Sequence, residues 1–91
     1  MLNKAYTPLI DVSLDQQDLL IIEQTIAELN LHAHEIRTRK AGNYKFIDMH
    51  LEMDPEIPLK KVHEICDQLE LTLKKRIKNL DVNIHVEPLE K

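Results

Sequence analysis

The stretch Phe46-Ile47-Asp48-Met49-His50-Leu51-Glu52-Met53 constrains this chain more than any other. It alternates apolar and polar residues at period two, the pattern of a half-buried β-strand. Ile47, Met49, Leu51 and Met53 share one face, and Phe46, Asp48, His50 and Glu52 share the other. A strand divided in this way needs an apolar layer on one side only. The sheet that contains it must be covered on one face, with carboxylates and an imidazole displayed on the other.

The flanking segments supply the cover. Ser13-Leu14-Asp15-Gln16 fits a capping box, and Leu19, Ile22, Ile26 and Leu29 follow at helical spacing, which predicts a helix over about 14–29. A second apolar stripe, Leu59, Val62, Cys66, Leu69, Leu73 and Ile77, begins just after Pro58 and ends among Lys74, Lys75, Arg76 and Lys78. Proline suits a first helical turn and cations suit a last one. Leu31–Lys40 reads as a first strand and 40–43 as a turn, with Gly42 at a positive-φ position. Asp81–Pro88 reads as a last strand with Val82, Ile84 and Val86 toward the core.

A hairpin followed by a strand–helix–strand unit places the second and third strands parallel with a right-handed crossover. The expected fold is α+β, a two-layer αββαβ sandwich with a three-stranded mixed sheet and both helices on one face. Residues 1–12, interrupted by Pro8, read as a lead-in whose Leu9, Ile10 and Val12 dock on the core. Residues 13–88 form the domain and 89–91 a short tail.

Composition removes several functions. The 91 residues allow one small domain, of a size that gains from self-association. A formal charge of −4 with two tyrosines, one phenylalanine and no tryptophan argues against nucleic-acid binding, which needs basic grooves and stacking. One cysteine excludes an intrachain disulfide framework and a Cys-based zinc site. No apolar run reaches the length of a membrane span, and Met1–Ile10 lacks the core of a signal peptide. No loop is long enough to enclose a substrate, so an enzyme is not expected.

The five histidines point elsewhere. If the second and third strands are neighbours, Asp48, His50 and Glu52 lie beside Asn83, His85 and Glu87 on the bare face, with His34 contributed from the first strand. Imidazoles and carboxylates on a rigid surface suit first-row dications, leaving zinc, manganese, iron and cobalt open. A carboxylate such as Glu87 can bridge two ions, and Asp48 and Glu52 are candidates to hold the second nitrogen of a ligand histidine. His63 and Asp67 form a local i,i+4 pair on the second helix. His63 can join the site only over the sheet edge or from a second protomer. The bland readings are surface histidines that are merely solvated, Cys66 as a small buried hydrophobe, and Arg37, Arg39 and Lys40 as a solvated strand face.

Four ordered stretches resemble a known family: His34-Glu35-Ile36-Arg37-Thr38-Arg39-Lys40-Ala41-Gly42, Phe46-Ile47-Asp48-Met49-His50-Leu51-Glu52, His63-Glu64-Ile65-Cys66-Asp67, and Val82-Asn83-Ile84-His85-Val86-Glu87-Pro88. Together they are similar to the cytoplasmic C-terminal domain of cation diffusion facilitator transporters, over about Leu9–Pro88. The resemblance implies a ferredoxin-like, metallochaperone-like domain that forms a homodimer below the membrane. There it would bind divalent metal, zinc foremost, and regulate transport through a transmembrane domain. It implies metal ligands at His34, His50, His63, His85 and Glu87, and His32 stands outside the shared pattern. The chain itself holds no span, so it is expected to be cytoplasmic: an excised regulatory domain or, alternatively, a free-standing metallochaperone or a purely structural dimerisation domain.

Overall fold

The computed structural model describes residues 13–89. The lead-in expected over 1–12 and the last two residues of the tail lie outside them. The order is α1 (Gln16–Glu28), β1 (His32–Ala41), β2 (Tyr44–Met53), α2 (Leu59–Arg76) and β3 (Leu80–Pro88), in a sheet of order β1-β2-β3. β1 and β2 form an antiparallel hairpin, while β2 and β3 run parallel across the α2 crossover. This is the expected αββαβ sandwich.

The alternating strand is the centre of the sheet. Ile47, Met49, Leu51 and Met53 are buried together with Ile22 and Ile26 of α1 and with Leu69 and Leu73 of α2. Each such side chain contributes about 1.5–3 kcal/mol relative to exposure. Thr25 is fully buried, and its hydroxyl donates to the Ile21 carbonyl at 2.7 Å while accepting from Arg76 Nη1 at 2.8 Å. Arg76 Nη2 also donates to Glu28 at 3.0 Å, so the end of α2 is clamped onto α1. Lys45 donates to Asp18 at 2.7 Å and ties the hairpin to the start of α1. Asn30 and Asn79 take positive φ after the two helices, and Gly42 does so in the hairpin turn.

Three local expectations are corrected. The N-cap of α1 is Asp15, with no side-chain cap, because the Ser13 hydroxyl lies 3.2 Å from Thr38 Oγ1 of β1 instead of turning back on its own helix. Leu59, placed in the apolar stripe, is 81% exposed at the start of α2. The inward row of β3 is only partly covered: Val82 and Ile84 are half-buried and Val86 is 44% exposed. The physical reason is that β3 is an edge strand. A groove of about 720 Å³ opens between it and α2, lined among others by Ile57, Val62, Cys66, Ile84 and Val86.

Candidate metal centre

The site is built by register. His34 of β1 pairs with His50 of β2, and His50 pairs with His85 of β3. His32 and Glu87 both pair with Glu52, one from each side. An imidazole from each strand therefore lies in one row across the sheet. The His34 and His50 rings are 5.5 Å apart, and the His50 and His85 rings stack at 5.2 Å.

A β-bulge adjusts this face. Between the His34–His50 and Arg37–Asp48 pairs, Glu35 and Ile36 stand opposite Met49 alone. Glu35 has φ +51°. A side chain in that left-handed conformation costs about 1–2 kcal/mol, so the bulge is a specific feature rather than slack. It keeps His34, Arg37 and Arg39 on the outward face although the first two are an odd number of residues apart. It also turns Glu35 back over the histidines.

The contacts close into a ring. His34 Nε2 lies 3.1 Å from Glu87 Oε1, and His50 Nδ1 hydrogen-bonds Glu87 Oε2. On the far side, Glu35 Oε2 is 3.8 Å from His34 Nδ1 and Glu35 Oε1 is 3.7 Å from His50 Nε2. Glu52 Oε2 adds a further carboxylate 3.7 Å from His34 Nε2. The hydrogen bond with His50 is the main reason the Glu87 carboxyl is held below its ordinary value. Desolvation opposes that effect and the His34 bond reinforces it.

Dication chemistry fits these residues. One donor atom each from His34, Glu52 and Glu87 lies within 4.8 Å of the others. Ligands about 2.1 Å from a tetrahedral ion stand about 3.4 Å apart, and the measured separations of 3.1 and 3.7 Å bracket that. Burial, then Asp67 and Glu70, push the Cys66 thiol up, which leaves it a neutral hydrophobe and not a thiolate donor.

Of the expected site residues, His34, His50 and Glu87 are in mutual contact. His85 stacks on His50, and its Nε2 lies 3.4 Å from the Asn83 amide. His63 is elsewhere, on the helical layer, 3.8 Å from Asp67 and 80% exposed. It shares the α2–β3 groove with Glu87, which borders both groove and ring. Asp48 lies toward the other end of the bare face, near Arg39, Phe46 and Asp81. Glu52 stands with the donor atoms rather than behind a histidine. Glu35 escaped the sequence reading, because the bulge that brings it to this face shows only in the pairing with β2.

Fold and cluster together define a class, the ferredoxin-like αββαβ domains that carry histidines and carboxylates on an uncovered sheet face. Residues 14–89 match the family described as "Cation efflux protein, cytoplasmic domain", and the chain belongs to that family. It is 46% identical over 57 residues to the cation-efflux pump FieF of Pectobacterium atrosepticum and 45% identical over 56 residues to FieF of Klebsiella pneumoniae. Those stretches cover 63% and 62% of this chain and 19% of each relative, so the match spans about a fifth of the pumps' length. A solved structure of CzrB, a proposed zinc transporter, superposes with a TM-score of 0.78 at 31% identity, covering 85% of this chain and 99% of that one. The metal-bound C-terminal domain of the CzcD transporter from Thermotoga maritima gives 0.74 at 31% identity, covering 86% and 98%. Among the described residues, no helix is long and apolar enough to cross a membrane.

Proposed function

We propose that this domain senses a divalent cation of the zinc type for the efflux transporter to which it belongs, and that metal tightens a homodimer. The observation that carries the reading is the ring itself, in which two imidazoles from β1 and β2 converge on Glu87 of β3 with Glu52 alongside. A metal-bound relative with the same fold supports it. The ligands in one protomer are His34, His50, His85 and Glu87, with Glu52 placed to join His34 and Glu87. When bound, the ion supplies positive charge that the carboxylates otherwise lack.

His63 completes the set from a second protomer. It is fully presented on the rim of the apolar groove, and the exposed Leu59 and Val86 beside it are surfaces that a second copy would cover. Regulation follows by linkage: an ion that binds the closed pair more tightly than the open one shifts the population toward closure, and the transmembrane part of the transporter reads that shift. Ligand imidazoles bind only when neutral, so protons compete with the ion for these nitrogens and acid weakens binding.

Titration calorimetry with Zn²⁺ and Mn²⁺, paired with sedimentation, tests this. His50→Ala and His85→Ala should each weaken binding at least about tenfold, and metal should promote the dimer. An absence of binding to the native domain, or a monomer at high concentration with and without metal, overturns the reading.

A further inference from the structure

Each imidazole in the ring uses both of its nitrogens. His34 turns Nε2 and His50 turns Nδ1 toward Glu87, and the opposite nitrogen of each faces Glu35. The two carboxylates are not equivalent. Glu87 has Glu52 close by at His34 and belongs to the strand that carries His85. Among the described residues, Glu35 is the carboxylate on the outer side, and it is 57% exposed. Metal-binding histidines commonly donate their second N–H to a carboxylate, which fixes the tautomer and the ring angle.

We infer that Glu35 is a positioning residue of the metal centre, whose carboxylate accepts the Nδ1–H of His34 and the Nε2–H of His50 while their other nitrogens face the ion. This rests on the metal-binding reading above and adds a residue behind the ligands. Without metal, Glu87 occupies His34 Nε2 and His50 Nδ1, so those nitrogens carry the protons when each ring is neutral. A bound ion would take those two nitrogens, and each ring, staying neutral, would lose that proton to solvent and gain one from solvent on the nitrogen facing Glu35. The present 3.7 and 3.8 Å separations are ion-pair distances, and a movement of about 0.8 Å by an exposed side chain brings them to hydrogen-bond length. The bulge explains why the device needs no residue from another element. In a regular strand Glu35 would point to the opposite face from His34, whereas at φ +51° its carboxylate reaches both rings.

The variant that separates carboxylate from backbone is Glu35→Gly, because glycine adopts the left-handed bulge without cost. Its metal-free thermal midpoint should equal or exceed that of the native domain. Its Zn²⁺ affinity should fall 10–100-fold, with a smaller loss in Glu35→Gln, which keeps an acceptor. In the zinc-bound native domain, imidazole ¹H–¹⁵N spectra should show protected N–H signals from His34 Nδ1 and His50 Nε2, and these should disappear in Glu35→Gly. Native affinity and unchanged ring signals in Glu35→Gly overturn the role of Glu35 alone. A native domain that takes up no Zn²⁺ overturns the functional reading and this inference with it.

Discussion

Glu87 accepts from two strands and borders the apolar groove, so one carboxylate joins the sheet face to that groove. Its lowered pKa has a consequence for stability. A carboxyl with a folded pKa below the unfolded one stabilises the native state above its ordinary value of 4.5, and that stabilisation is lost as pH falls through the folded value. The metal-free midpoint of Glu87→Gln should therefore fall less than that of the native domain as pH drops below 4.5. Parallel melting curves for the two proteins would refute the assignment. At this scale the sequence was legible where alternation governs, as with His50 and Glu87. It was not legible at Glu35, because a bulge is set by pairing with β2 and period-two reasoning assigns that residue to the wrong face.

The central strand carries more of the stability than the edge strand beside it. Leu51 is fully buried, whereas Val86, its partner in register on β3, is 44% exposed. Leu51→Ala should cost about 2–5 kcal/mol in a denaturant titration. Val86→Ser should cost less than about 0.5 kcal/mol in the monomer and show its effect in weakened self-association. Equal losses would mean that β3 packs as deeply as β2. The helices were readable from their apolar periods and the parallel β2–β3 pairing from the length of the crossover. The half-empty inner row of β3 was not readable, since alternation reveals which face a residue takes but not whether anything covers it. The same limit explains Leu59, which has the spacing of the apolar stripe yet is 81% exposed.

Across the whole molecule the candidate metal centre joins parts of very different sequence separation. His34 and His50 come together within one hairpin, but Glu87 arrives only after α2 has crossed over and β3 has docked parallel to β2. Local pairings form before distant ones, because chain closure must be paid first. Loop-closure cost therefore predicts that the complete donor set assembles late in folding. An ion that needs Glu87 acts after the rate-limiting barrier: in stopped-flow experiments Zn²⁺ should slow unfolding and leave the folding rate nearly unchanged. Folding accelerated by the full stabilisation would instead mean that the hairpin holds the ion by itself. The parallel strand pairing thus sets the order of events as well as the shape of the sheet. Under the proposed metal binding, it makes the ion a latch on the finished domain, unable to serve as a template for an unfinished one.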